Sequence, residues 1–329
     1  MNIIGEDPNF LDVVGQTSRL AQFDRPCLVV GERGTGKELF TSRLHYLSKR
    51  WDGPLIKVNC AALTESLLES ELFGHEMGAF TGAQRLHIGR FERAHGGTLI
   101  LDEIASASLA AQEKILRVIE YGELERVGGK ETIKIDVRVI GAANVDLPSL
   151  ASIGKFRADL LDRLAFDVIT LPPLRARPTD ILTLATHFAI EFMREFNQDL
   201  FPGFSPAAQR QLMEYSWPGN IRELRNAIDR TICRRTNQEE EVTEININPY
   251  DSPWRLGKSS ETKPARTKPI TSDGFANTVS DFESQLIKTA LKDARHNQTE
   301  AAKALHLSYH QFRRLLKKHK ISAHLGERI

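Results

Sequence analysis

The chain has 329 residues, with 44 Lys and Arg against 43 Asp and Glu, and 41% of it is hydrophobic. That length predicts two or three domains with a sizeable core, and the ordinary apolar and charged fractions exclude wholesale disorder and collagen-like repeats. The net charge of +1 is a cancellation: residues 1–248 carry −6, residues 249–279 carry +2 and residues 280–329 carry +5. No apolar run approaches the roughly 18 residues of a spanning helix. Glu6 and Asp7 stand where a signal peptide would need a basic and then an apolar stretch. Cys27, Cys60 and Cys233 are too scattered for a disulfide framework or a zinc site, so a reducing cytoplasm is the expected compartment.

In chain order, buried strands are predicted over 27–30, 55–58, 98–101 and 137–142, interleaved with helices over 37–47, 109–119 and 156–164. Such alternation predicts an α/β fold with a parallel sheet covered on both faces. After Pro172-Pro173 three helical patterns follow without a strand, over 181–196, 205–215 and 220–234, which predicts a helical lid subdomain. The expected boundaries are 1–172 for the sheet, 173–248 for the lid, 249–279 for a flexible linker of Ser, Thr, Pro, Lys and Gly, and 280–329 for a small all-α domain.

The first strand runs into Gly31-Glu32-Arg33-Gly34-Thr35-Gly36-Lys37, a GxxxxGK phosphate-binding loop followed by a helix. Glycines let backbone N–H groups turn toward phosphate, and the helix start adds positive potential. Lys37 is expected on the β- and γ-phosphates of ATP, whereas Glu38 replaces the usual Ser or Thr hydroxyl on Mg²⁺. The third strand ends in Asp102-Glu103. Asp102 is expected to hold Mg²⁺ and Glu103 to polarise the attacking water.

Between these motifs lie Glu71-Leu72-Phe73-Gly74-His75-Glu76 and Gly78-Ala79-Phe80-Thr81-Gly82-Ala83. The second run resembles the signature of the bacterial enhancer-binding activators, AAA+ ATPases that remodel RNA polymerase carrying sigma-54. The likeness continues through Phe156 to Leu164 and Trp217-Pro218-Gly219-Asn220-Ile221-Arg222-Glu223-Leu224. It implies that residues 78–83, with Arg126 and Val127 beside them, contact the sigma factor. It implies that Arg157 and Arg163 serve the nucleotide of a neighbouring subunit in a ring, which in this family is a hexamer. On local spacing alone, Asp159 and Arg163 would instead pair on the helix surface. The resemblance further assigns Asn59 to restraining Glu103, Asn144 to the first sensor and Arg222 to the second. Ala143 takes the place of the usual sensor Thr, while Glu38 is common in the family. Thirty residues before the phosphate loop leave no room for a sensor domain, so control is expected from expression level or from a partner acting in trans, and the resemblance implies an inhibitory partner of the phage-shock system. Trp51, between Lys49-Arg50 and the turn Asp52-Gly53-Pro54, is the candidate contact, with packing on its own domain as the alternative.

The basic tail reads as a helix over 282–294 and then a helix-turn-helix, with short helices over 299–305 and 309–318. Ser308 caps the last helix, and Tyr309, His310, Gln311, Arg313 and Arg314 are the expected readers of DNA bases or phosphates. Lys317, Lys318 and Lys320 are expected on phosphate. The tail resembles the Fis-type DNA-binding domain, whose modules act as dimers. Two other readings remain at this point: a DNA-binding repressor that keeps the nucleotide fold as scaffold, and another AAA+ machine acting on DNA.

Overall fold

The computed structural model describes residues 3–195, 200–235, 240–250, 254, 275–294, 297–319 and 321, the backbone alone for 275–278 and 281. Most of the expected linker, 251–253 and 255–274, lies outside the described residues, as does Lys320. The chain forms two compact units, Met1–Asp251 and Ser252–Ile329.

In the first unit the elements run α1 (Pro8–Ala21), β1 (Cys27–Val30), α2 (Lys37–Tyr46), β2 (Leu55–Asn59), α3 (Glu65–Phe73), α4 (Arg90–Arg93) and β3 (Thr98–Asp102). They continue with α5 (Leu109–Tyr121), β4 (Glu123–Glu125), β5 (Thr132–Lys134), β6 (Arg138–Ala143), α6 (Leu147–Ser152), α7 (Ala158–Leu164) and β7 (Val168–Thr170). The lid follows as α8 (Thr179–Glu195), α9 (Pro206–Glu214) and α10 (Asn220–Cys233). The second unit holds α11 (Phe275–Asp293), α12 (Gln298–Ala304) and α13 (Tyr309–Lys318). Among the described residues no helix is long and apolar enough to cross a membrane.

Five strands form one parallel sheet in the order β2-β3-β6-β1-β7. Alternating side chains divide its two faces. Leu99 and Leu101 of β3 join Leu28 of β1 in a core with α3, α5 and α7. Ile100 joins Cys27, Val29, Ile140 and Ile169 against α1 and α2. Buried Arg138 ties the second face together: its guanidinium donates to the carbonyls of Leu20 and Ala21 at the end of α1 and of Leu44 in α2. Helix ends leave such carbonyls short of partners, although that of Leu20 also accepts from the Phe23 N–H (3.1 Å).

Helix starts follow local chemistry. Asp7, Ser108, Ser205 and Ser308 cap α1, α5, α9 and α13, and Gly122 ends α5 in the left-handed conformation. Several elements depart from the sequence reading. α1 and α3 are additional helices, β7 is a three-residue edge strand, and β4 and β5 form an antiparallel hairpin around residues 126–131. α7 starts at Ala158 because Phe156 is buried in the core and Arg157 is the extended N-cap. α11 begins at Phe275, seven residues before the expected Phe282 and inside the stretch expected as linker.

Candidate functional site

The phosphate loop leaves β1 at the carboxyl edge of the sheet, where Gly31 N–H donates to the Ala143 carbonyl at the end of β6 (3.2 Å). Gly34 and Gly36 have φ of +80° and +93°, which only glycine adopts freely. Gly36 is the N-cap of α2, so the free N–H groups of that helix face the loop. Lys37 folds back, its Nζ donating to the carbonyls of Gly31 (2.8 Å) and Glu32 (3.0 Å). Burial pulls its ammonium below the usual lysine range; Asp102 and Glu103 oppose that shift and Arg222 adds to it. One small volume therefore feels Lys37, both carboxylates and the lid arginine. Thr35 is buried and donates to the Glu32 carbonyl, while Arg33 is exposed.

Asp102 closes β3 opposite Asn59 in register with β2. Its Oδ1 accepts from the Glu103 N–H (3.0 Å), and Glu103 sits at φ +50°, turning its side chain away from the strand direction. The Asn59 side-chain oxygen accepts from Ala61 N–H (2.9 Å), and among the described residues it shares no hydrogen bond with Glu103. Asn144 is exposed immediately after β6. Glu38, in the first turn of α2, pairs with Lys57 of β2 (2.8 Å). Cys60, beside this site, is pushed up to about 12, mainly by burial and then by the two carboxylates.

The lid grips the loop through residues to which the sequence reading gave no role. Asn220 is fully buried at φ +53°. Its amide donates to Glu32 (3.1 Å) and to the Arg33 carbonyl (3.0 Å), and its oxygen accepts from Leu174 N–H (2.8 Å). Arg175 forms a two-pronged pair with Glu32 (2.5 and 2.8 Å), and Ile221 N–H donates to the Gly34 carbonyl (3.0 Å). Arg175 first, and then Asn220, hold the Glu32 carboxyl down at about 2. A Cβ on Gly34 would stand 2.2 Å from the Gly219 carbonyl oxygen and 3.2 Å from the Arg222 Cβ. The Trp-Pro-Gly-Asn run carried this signal only in part, because an Asn after Gly reads equally well as a helix cap.

Arg157 and Arg163 both lie at the surface and meet carboxylates of α5. Arg157 pairs with Asp159 (2.7 Å) and Glu113 (3.3 Å), and Arg163 with Glu120 (2.6 Å). The i,i+4 pair of Asp159 with Arg163 does not form. Asp159 faces the N-cap Arg157 instead, while α5 offers Arg163 a nearer partner.

Residues 74–89 connect α3 to α4 as a loop with a pinched neck. A Cβ on Gly74 would come within 2.4 Å of the His87 carbonyl, and one on Gly89 within 2.4 Å of the Gly74 N. His75 and His87 exchange backbone hydrogen bonds (3.1 and 3.0 Å), and Val127 N–H donates to Gly74 while its carbonyl accepts from Glu76. At the tip Gly78, Phe80, Thr81 and Gly82 are exposed, Ala79 is half-buried and Ala83 is buried. Ala79 packs under Gly128 of the hairpin turn, where a Cβ would lie 2.7 Å from the alanine's own. Arg126, expected as part of a second surface loop, opens the turn between β4 and β5, where Glu92 (2.7 Å) and Glu76 (2.8 Å) clamp its guanidinium. Those two carboxylates raise its already high pKa further.

Trp51 stands 63% exposed in the turn after α2. In the second unit α13 buries Phe312 and Leu316 and exposes Tyr309, His310, Gln311, Arg313, Arg314, Lys317 and Lys318. Ser308 and Gln311 form a reciprocal capping box, which occupies the Gln311 side chain. Lys318 pairs with Glu283 of α11 (2.7 Å). His306, at φ +52°, makes the turn between α12 and α13.

Comparison with known proteins agrees with these features. Residues 3–170 match the sigma-54 interaction domain, residues 175–253 the AAA+ ATPase lid domain, and residues 278–319 the bacterial regulatory protein, Fis family. The Psp operon transcriptional activator of Escherichia coli (strain K12) is 54% identical over 322 residues, 97% of this chain and 98% of that protein. Regulatory protein AtoC of the same organism is 42% identical over 93% of this chain and 65% of its own length. Among solved structures, NtrX from Brucella abortus in complex with ATP has a TM-score of 0.70 at 30% identity, covering 98% of this chain and 70% of that one. The phosphate loop under an AAA+ lid, the necked loop between α3 and α4, and the Fis-type tail occur together here for one reason: the chain belongs to the bacterial enhancer-binding proteins, the AAA+ family of sigma-54-dependent transcriptional activators.

Proposed function

We propose that this protein binds enhancer DNA through its tail, assembles into a ring, and uses ATP hydrolysis to remodel sigma-54 RNA polymerase from closed to open promoter complexes. The likeness to the Psp operon activator over nearly both full lengths supports a phage-shock operon as the target. The observation that carries the reading is the exposed Phe80 tip on a glycine-pinched neck, in the same unit as a phosphate loop clasped by its lid.

Lys37 and the N–H groups at the start of α2 would hold the β- and γ-phosphates, and Arg222 would report them to the lid. Lys37 now donates to carbonyls of its own loop, a parking position that a phosphate would replace. Glu103 would orient the attacking water, and Asn144 would stand beside the γ-phosphate. Asp102 fits Mg²⁺ as a hard oxygen donor at the strand end, electrostatically coupled to Lys37. The ion would supply charge neutralisation there. Asn59, next to Asp102 in register, would restrain Glu103 after leaving Ala61.

Arg157 and Arg163 would leave their carboxylate partners on α5 to reach a neighbour's nucleotide. Exposed ion pairs are weak enough for that exchange. A closed ring follows from head-to-tail contacts of this kind, and the family points to six subunits. In the tail, Val279, Phe282 and Leu286 lie exposed at helical spacing on α11 and would form the dimer face, while Arg313, Arg314 and Lys317 meet DNA. Trp51 would receive the inhibitory partner, and a Trp51→Ala variant that is inhibited as strongly as the native protein removes that role.

The test is transcription from a sigma-54 promoter beside ATP turnover. Phe80→Ala or Thr81→Ala should abolish open-complex formation while ATP turnover persists, and normal promoter opening by these variants rejects the reading.

A further inference from the structure

The neck of the 74–89 loop contains two imidazoles that neither the phosphate chemistry nor the sigma contact uses. His75 and His87 stack with centroids 5.3 Å apart and planes 23° from parallel. The edge of Phe80 meets His75 at 4.9 Å and 65°. Behind them α3 supplies two consecutive residues. Ser70 Oγ lies 2.7 Å from His75 Nδ1, and Glu71 Oε1 lies 3.6 Å from His87 Nε2, with Glu71 itself held by Arg90 at 2.7 Å.

We infer that His75 is the positioning residue that seats Phe80 in the parked form of the loop. This rests on the reading of Phe80 as the sigma-contacting tip. The loop has little else to hold it. A Cβ on Gly78 or on Gly82 would meet nothing within 4 Å. Gly78, Ala79, Ala83 and Gln84 donate only to carbonyls of residues 76–83, hydrogen bonds internal to the loop that travel with it. Anchorage to the rest of the domain comes from Ala79 under Gly128, from the buried Ala83 and from the Phe80 ring on His75. The exposures agree: Met77, with no such partner, is 73% exposed, and Phe80 is 45% exposed. His75 is fixed in turn. Ser70 sets its ring plane, its main chain is paired to His87, and His87 fills the face behind it. Edge-to-face aromatic contacts are strong enough to bias a loop and weak enough to be broken when it moves.

Hydrogen exchange of the full chain without nucleotide tests the seat directly. His75→Ala should speed exchange of the amides over 77–84 by roughly two- to tenfold, the range an aromatic pair supplies. α3 and the β4–β5 hairpin should keep their protection. Ser70→Ala should act in the same direction by less, and His75→Phe, which keeps an aromatic partner, should restore slow exchange. Unchanged exchange in His75→Ala overturns the proposal. So does loss of protection spreading through α3, or failure of His75→Phe to restore it. Capture of sigma-54 factor gives the second readout. His75→Ala should bind it without a transition-state nucleotide analogue, and binding that stays analogue-dependent or vanishes in every state also overturns the proposal. A Phe80→Ala control that still captures the factor would reject the sigma reading, leaving the exchange result to stand alone.

Discussion

Replacing Asn220 by Ala removes a side chain that joins three segments at once. Its oxygen is the partner of the buried Leu174 N–H at the entrance to the lid, and its amide bridges Glu32 and the Arg33 carbonyl of the phosphate loop. Leaving the Leu174 N–H buried and unpaired costs about 1–3 kcal/mol, and the bonds to the partly exposed loop add roughly 0.5–1 kcal/mol. Alanine at φ +53° carries about 1 kcal/mol of left-handed strain that Asn tolerates better. The total is about 2.5–5 kcal/mol, which for a unit of this size lowers the melting temperature by roughly 5–20 °C. Asn220→Gly loses the same hydrogen bonds without the strain and should recover about 1 kcal/mol of it. Thermal unfolding followed by circular dichroism, together with ATP titration, measures both effects; nucleotide affinity should fall as well, because Asn220 and Ile221 hold the loop from the lid side. A melting temperature for Asn220→Ala within about 1 °C of the native protein would refute the accounting.

Gly34→Ala should abolish ATP binding in equilibrium titration, since its Cβ would meet the Gly219 carbonyl at 2.2 Å in a left-handed position. Glu32 is held at about 2 by Arg175 and then Asn220, so its contribution to stability is full above the ordinary glutamate range and is lost as pH falls through about 2. Arg175→Ala should therefore move the Glu32 carboxyl titration upward in an NMR pH series, and an unmoved titration rejects the pairing. Cys27 and Cys60 are pushed up by burial to about 11 and about 12, whereas Cys233 is exposed. Thiol labelling of the native chain should modify one cysteine rapidly and three after denaturation. Arg126→Ala should free Glu76 and Glu92, weakening capture of sigma-54 factor while ATP turnover continues in a coupled-enzyme assay.

Much of this molecule is written locally. Four of the five strands of the main sheet announce themselves as short apolar runs; for β1, β3 and β6 the reason is burial on both faces, which needs no polar alternation, whereas β2 is an edge strand with only Val58 buried and Lys57 exposed. β7 escapes notice because Val168–Thr170 is a three-residue edge strand with only Ile169 buried. The phosphate loop, the Asp102-Glu103 strand end and the 78–83 run are legible because glycine spacing and paired carboxylates are properties of consecutive residues. α3 is not. Its buried face follows from how Leu68, Leu72 and Phe73 pack beneath the loop, and Glu65–Phe73 carries little helical periodicity of its own.

The sequence by itself determined the chemistry available and where it lies along the chain: a nucleotide loop, two carboxylates, an apolar loop tip and a basic tail whose charge an acidic body cancels. Only the tertiary structure decided which residues meet. It put Asn220 and Arg175 on Glu32, Arg126 between Glu76 and Glu92, Arg163 on Glu120, and the ring of His75 under Phe80. The physical reason is separation: Glu32 and Asn220 are 188 residues apart, and no spacing rule spans that distance. Their contact exists because the sheet and the lid pack as one unit and leave each buried polar group in need of a partner.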